Sequence, residues 1–259
     1  MTEKTKSYKG YLIDLDGTLY KGNESIPHAK EFVAALREKN IPFFFLTNNS
    51  TTIPAQVAER LRVKFGIEAD EAEVYTSALA AADYLKERGG GSAFVVGEDG
   101  LKKAVAQAGL SFEETNPDYV IAGLYRTLTY EELAKGALAI RNGAQFILTN
   151  ADATYPTERG LLPGAGSIGA LLSTAAGVKP TITGKPEKIM MEEAIKRLGV
   201  KREEVLMVGD NLDTDIRAGL ENGLDTLMVL TGVSTESQAK ERGILPTYIR
   251  SHLGKWEIK

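Results

Sequence analysis

Two aspartates two residues apart stand near the start of the chain, in the stretch YLIDLDGTLY. Asp14 and Asp16 follow the apolar run Tyr11-Leu12-Ile13, and Gly17-Thr18 turns the chain straight afterwards. Residues i and i+2 of a strand point to the same side, so both carboxylates can face one site. With an ordinary aspartate pKa of about 3.9, both are ionised near neutrality and repel each other. Charge at the end of a buried strand is costly unless something compensates it. A hard cation with oxygen ligands does so, and Mg²⁺ typically takes one or two carboxylates together with phosphate and water oxygens.

Other strand-like runs also end in polar residues. In open α/β sheets, ligands collect beyond the carboxyl ends of strands. PFFFLTNN ends in Thr47, Asn48 and Asn49; TITGKP carries Lys185; and MVGDNLDTD carries Asp210, Asn211, Asp213 and Asp215. Carboxylates, hydroxyl and amide donors and one ammonium suit a divalent metal plus a phosphate. A carboxylate nucleophile can approach an anionic phosphate monoester only where positive charge screens the encounter. Taken singly, each group has a plain alternative. The aspartates fit a solvated turn, Thr47-Asn48-Asn49 a helix N-cap, Lys185 a surface position and GDNLDTD an acidic helix start. Four such ends in this order are harder to dismiss together.

The elements that must position these residues are legible as an alternation. Strands are predicted at GYLIDLD, IPFFFLTN, SAFVVGE, DYVIAGL, AQFILTN, EVLMVGD and DTLMVL. Helices are predicted at PHAKEFVAALREK, IPAQVAERLRVKF, TYEELAKGALAIRN and PEKIMMEEAIKRLG. In the last, Ile189, Met190, Ala194, Ile195 and Leu198 recur at helical spacing. Strand–helix alternation predicts an α/β protein with mainly parallel sheet, and runs as apolar as PFFFL and VLMV predict sheets covered on both faces. ERGGGSAF and AAGVKPTITGKP bracket a middle section. EFVAALREKNIPFFFLTNN and LAKGALAIRNGAQFILTNA echo each other, each a helix leading to a strand that ends in Leu-Thr-Asn, so the middle section is expected to have its own sheet.

Composition narrows the class. A net charge of −4 with no basic cluster argues against nucleic-acid binding. The absence of cysteine excludes disulfides, zinc–thiolate sites and thiol nucleophiles. The N-terminal MTEKTKSYKG has no apolar signal-peptide core, and no run approaches the roughly 18 apolar residues of a membrane span. The expectation is a cytoplasmic protein that binds neither nucleic acid nor membrane. His28 and His252 have no metal-like partners in sequence and are expected at the surface.

DLDGTL resembles the first motif of the haloacid dehalogenase (HAD) phosphatase superfamily, FLTNN the second, GKP the third and VGDNLDTD the fourth. Their order and spacing match along nearly the whole chain. The resemblance implies a Rossmann-like parallel-sheet core from residues 1–80 and 182–259, with an α/β cap of the C2 type inserted at 81–181. It is closest in character to the NagD-like branch and, within it, to the acid sugar phosphatases of Gram-positive bacteria. It further implies that Asp14 is the nucleophile, forming a phosphoaspartate, and that Asp16 is the general acid/base. By the same resemblance, the Asp14 carboxylate, the Asp16 carbonyl and Asp210 hold Mg²⁺, and Asp215 supports the metal indirectly. Thr47, Asn48, Asn49, Lys185 and Asn211 would bind phosphate, whereas Asp213 falls at a variable position.

Every decisive motif addresses the phosphate, so substrate choice is expected to come from the cap. Candidates there are Asn150 and Asp152, Arg126 and Arg159 as partners for a sugar-acid carboxylate, and the Gly164–Ser167 turn, whose N–H groups open a helix. The expected substrate is a small phosphorylated metabolite: a sugar phosphate, a sugar-acid phosphate or a nucleotide. Two alternatives stay open: a phosphotransferase using the same aspartate, and a catalytically silent sugar-phosphate-binding regulator. Dimerisation through caps is common in such proteins, so a homodimer is one arrangement the resemblance allows.

Overall fold

Apolar runs of four or five residues separated by helices set the architecture, a computed structural model that describes residues 6–259. The chain falls into two units, one made of residues 6–46, 54–75 and 191–259, the other of 47–53 and 76–190. Segments 47–53, 76–80 and 182–190, expected in the core, thus cluster with the second unit.

In the first unit, β1 (Gly10–Asp14) leads into a short antiparallel pair, β2 (Tyr20–Lys21) and β3 (Glu24–Ser25). Next come α1 (Ala29–Glu38), β4 (Phe43–Thr47), α2 (Pro54–Phe65) and β5 (Val74–Thr76). The second unit contributes α3 (Ser77–Lys86), β6 (Ser92–Val96), α4 (Asp99–Gln107), β7 (Ser111–Phe112), β8 (Tyr119–Ala122), α5 (Tyr130–Arg141) and β9 (Gln145–Leu148). It continues through a hairpin of β10 (Thr154–Thr157) and β11 (Gly160–Pro163), then α6 (Ala165–Ala176) and β12 (Thr181–Ile182). The chain then runs through α7 (Lys188–Leu198), β13 (Val205–Gly209), α8 (Arg217–Glu221), β14 (Asp225–Val229), α9 (Glu236–Arg242) and β15 (Tyr248–Arg250).

The six-stranded sheet of the first unit has the order β15-β14-β13-β1-β4-β5. The pairings of β1 with β13 and β4, and of β14 with β13 and β15, are parallel. Alternation along its strands covers both faces. Tyr11, Ile13, Phe45, Val208 and Leu227 pack with Phe32, Val33 and Leu36 of α1 and Val57 and Leu61 of α2. On β14, Met228 turns the other way and joins Leu212, Ile216 and Ala239. Burying each such side chain contributes about 1.5–3 kcal/mol relative to exposure, and this burial does most to hold the sheet together. The two histidines stack on each other, with ring centroids 4.7 Å apart.

The five-stranded sheet of the second unit has the order β12-β9-β8-β6-β7. Its strands alternate with a period of two. Ala93, Tyr119, Ile121 and Ile147 face α3 and α4, whereas Phe94, Val96, Val120, Phe146 and Leu148 face α5 and α6. Thr129 starts α5 with a capping box closed by Glu132, which satisfies two otherwise orphaned N–H groups. The second of the two bracketing loops is partly strand, because Thr181 and Ile182 pair with Ile147 and Leu148.

Candidate active site

β1 and β13 are parallel neighbours in register, Ile13 opposite Val208, so both acidic segments emerge at the same, carboxyl end of the strands. After β1 the chain reverses within a few residues. The Leu15 carbonyl accepts N–H bonds from Thr18, Leu19 and Tyr20, and Gly17 adopts φ 90°, a left-handed conformation that glycine tolerates at little cost. The reversal brings the fully buried Thr18 hydroxyl 3.4 Å from Asp14 Oδ2 and 3.3 Å from Asp210 Oδ1. One hydroxyl hydrogen can serve only one of these oxygens at a time.

After β13 the chain makes a wide turn from Leu212 to Ile216. Asn211 caps it, its side-chain oxygen accepting from Asp213 N–H at 2.9 Å. Buried Asp215 reaches back to accept N–H bonds from Asp210 at 3.3 Å and Asn211 at 3.1 Å. Asp213 is exposed and paired with Arg242, which holds its carboxyl below the usual range.

Asp14, Asp210 and Asp215 each offer a carboxylate oxygen within 4.8 Å of the others. At an effective dielectric of about 20, two unit charges at that distance repel by ~3 kcal/mol. The N–H groups on Asp215 and the Thr18 hydroxyl soften this repulsion. An all-oxygen, multiply anionic donor set is what a hard divalent cation binds, so these residues fit Mg²⁺.

Asp16 is exposed by surface area, yet nearby protein desolvates its carboxyl enough to raise its pKa. Arg60, a Gly22 N–H bond and Lys21 oppose that rise. The Arg60 guanidinium lies over the Tyr20 ring, 4.7 Å from its centroid, and donates to the Gly22 carbonyl at 2.6 Å. It thereby ties the short β2–β3 turn down beside Asp16. Arg60 carries no motif; a lone arginine in a helix gives no sequence signal.

In the second unit, Thr47 and Asn49 form two consecutive local turns. The Asn49 N–H donates to Thr47 Oγ1 at 3.1 Å, and the Asn49 side-chain oxygen accepts from Thr51 N–H at 2.9 Å. The Asn48 carboxamide is engaged by the protein's own groups. Its oxygen accepts from Lys185 N–H at 2.9 Å, and its nitrogen donates to the Lys185 carbonyl at 3.0 Å and to Asp152 Oδ2 at 3.2 Å. The Asn48 carbonyl in turn accepts from the Asn150 amide at 2.7 Å and the Ser77 hydroxyl at 2.6 Å. The two echoing Leu-Thr-Asn ends therefore meet in one network. Lys185 is 2% exposed, a degree of burial that lysine almost never reaches unless paired.

The remaining cap candidates separate clearly. Arg126 is committed to Glu98 through two side-chain bonds of 2.7 and 2.5 Å. Arg159 is exposed. At the start of α6, Gly164 N–H donates to the Ala153 carbonyl, Gly166 N–H to Asp152 and Ser167 N–H to Gly164. Three of the N–H groups in the candidate Gly164–Ser167 turn are therefore engaged by their own chain.

Residues 11–111 match the haloacid dehalogenase-like hydrolase family, and residues 182–256 match an HAD-hydrolase-like family. The chain is 48% identical over 252 residues to the 5'-nucleotidase YutF of Bacillus subtilis, covering 97% of this chain and 98% of that one. It is 49% identical over 245 residues to an acid sugar phosphatase of Staphylococcus aureus, covering 94% of each. The solved structure of NagD from E. coli superposes with a TM-score of 0.93 at 34% identity, covering 98% of this chain and 100% of that one. The chain belongs to the haloacid dehalogenase-like hydrolases, as an HAD-type phosphatase of their NagD-like branch. No helix among the described residues is long and apolar enough to cross a membrane.

Proposed function

We propose that the protein is a Mg²⁺-dependent phosphomonoesterase that hydrolyses small phosphorylated metabolites in the cytoplasm through a phosphoaspartate on Asp14. The observation that carries this reading is the meeting of Asp14, Asp210 and Asp215 at the carboxyl ends of neighbouring strands. Asp14, the Asp16 carbonyl and Asp210 would hold the cation, with Asp215 bracing the loop that carries Asp210. When bound, Mg²⁺ supplies positive charge that lets a carboxylate approach a phosphate.

An Asp14 oxygen attacks phosphorus, forming an O–P bond as the P–O bond to the leaving alkoxide breaks. Asp16 gives that alkoxide its proton, a role suited to a carboxyl whose pKa is raised by desolvation. Asp16 then takes a proton from water, whose oxygen attacks phosphorus. The bond to Asp14 breaks, inorganic phosphate leaves and both aspartates return to their starting state. Thr47, Asn48, Asn49, Lys185 and the amide nitrogen of Asn211 bind phosphoryl oxygens, and the Asn48 carboxamide also holds the Lys185 backbone in place.

The names of the two relatives suggest sugar phosphates, sugar-acid phosphates and nucleoside monophosphates as the substrate class. The test is phosphate release across such a panel, with Mg²⁺, with chelator and with Asp14→Asn as the blank. Release that needs both Mg²⁺ and Asp14 supports the reading; release that survives either removal refutes it.

A further inference from the structure

Asp210 is gripped by a loop that no motif marks. Thr231–Ser234, with the sequence TGVS, follows β14 after Leu230. Its Val233 N–H donates to Asp210 Oδ2 at 2.7 Å, and its Ser234 N–H donates to the Asp210 carbonyl at 3.2 Å. The Ser234 hydroxyl accepts from Leu212 N–H at 3.0 Å, fastening the loop on the far side of Asn211 as well. At its other end the Thr231 hydroxyl donates to the Gly17 carbonyl at 2.7 Å. One loop therefore joins both acidic segments, the turn after Asp14 and the turn after Asp210.

The approach is close enough to dictate a residue type. A Cβ built on Gly232 would lie 1.9 Å from Asp210 Oδ2, far inside any real contact. Val233 is 70% exposed, so this residue serves the site through its N–H rather than its isopropyl group. The outer torsion of an aspartate side chain is broad and roughly two-fold, so an unrestrained carboxylate samples many orientations. Here a charge-assisted N–H bond pins one oxygen, and a backbone wall with no side chain lies against it.

We propose that the Thr231–Ser234 loop is a positioning element of the acidic site, which fixes the Asp210 carboxylate in one orientation and thereby sets the affinity for the divalent cation. Gly232 acts by leaving room, Ser234 and Thr231 by anchoring the loop to the two acidic segments. The inference rests on the reading of Asp210 as a cation ligand and adds residues that reading does not contain.

The test is calorimetric titration of MgCl₂ into the metal-free full chain, for the wild type, Gly232→Ala, Ser234→Ala and Asp210→Asn, with circular dichroism to confirm folding. Outer partners of metal ligands typically contribute 10–100-fold in affinity, so Gly232→Ala is expected to weaken Mg²⁺ binding by about tenfold or more. Ser234→Ala is expected to show a smaller loss in the same direction. Folded Gly232→Ala and Ser234→Ala proteins that bind Mg²⁺ like the wild type overturn the inference. Should Gly232→Ala fail to fold, Ser234→Ala decides alone. Asp210→Asn binding Mg²⁺ as well as the wild type, or a wild type that does not bind it, overturns the underlying reading instead.

Discussion

The two polar clusters of this protein are built on opposite plans. Around Asp14, Asp210 and Asp215, three groups of like charge bring oxygens to within 4.8 Å of one another. Around Asn48, the carboxamide oxygen meets an N–H, its nitrogen meets a carbonyl and a carboxylate, and its backbone carbonyl meets two further donors. Buried polar networks that satisfy themselves make a structure rigid and specific. A cluster of oxygens that concentrates charge of one sign is where an outside cation is drawn in. By this contrast the first cluster suits the proposed cation, while the Asn48 network holds the protein's own parts still.

The largest expected effect lies in the chemistry of the first unit. Asp16→Asn keeps the size of the side chain but cannot cycle a proton, and general acid/base groups typically contribute ~10²–10⁴-fold. Rates on an alkyl phosphate are expected to fall by that much, and by less on p-nitrophenyl phosphate, whose leaving group needs little protonation. Equal losses on both substrates would remove Asp16 from its assigned role.

Asn48→Ala sharpens the contrast from the other side. It removes one hydrogen-bond partner each from Lys185 N–H and the half-buried Asp152, and an intramolecular hydrogen bond typically contributes about 0.5–1.5 kcal/mol. Urea unfolding should show a drop of that order together with reduced turnover. A variant as stable as the wild type would show that the network is not the brace described here.

The smallest effect is expected at Arg126, whose guanidinium faces Glu98. Arg126→Ala should leave KM for a sugar-acid phosphate unchanged and lower stability by ~0.5 kcal/mol near pH 7, the scale of a solvent-screened pair. Hydrogen bonds from Arg126 are the main cause that lowers the Glu98 pKa from its usual 4.5. A carboxyl depressed on folding contributes stability above its unfolded pKa and loses it as pH falls through its folded one. The difference between variant and wild type should therefore shrink as melting is measured from pH 7 towards pH 3. A large rise in KM would instead return Arg126 to the substrate.

Much of this plan was legible before the fold. All seven predicted strands occur, as β1, β4, β6, β8, β9, β13 and β14, because each is an apolar run long enough to show its period. β5 and β15 escaped because they have three residues each, and β12 because two residues inside a Pro- and Gly-containing stretch carry no period at all. The aspartates were visible through their charge and spacing. Thr231–Ser234 was not, since TGVS has no charge and resembles an ordinary turn. The rule that ligands gather beyond strand ends could have found it, for it follows the predicted strand DTLMVL directly. The task of Asn48 was out of reach, because its partners Asp152 and Lys185 lie 104 and 137 residues away in sequence.

The account turns on which cluster answers to the cation, and Mg²⁺ calorimetry on Asp210→Asn and Asn48→Ala asks that directly. The prediction is that Asp210→Asn loses Mg²⁺ binding while remaining folded, and that Asn48→Ala binds Mg²⁺ with wild-type affinity despite its lower stability. Wild-type affinity in Asp210→Asn, or an equal loss in Asn48→Ala, would contradict the division of labour between the two clusters.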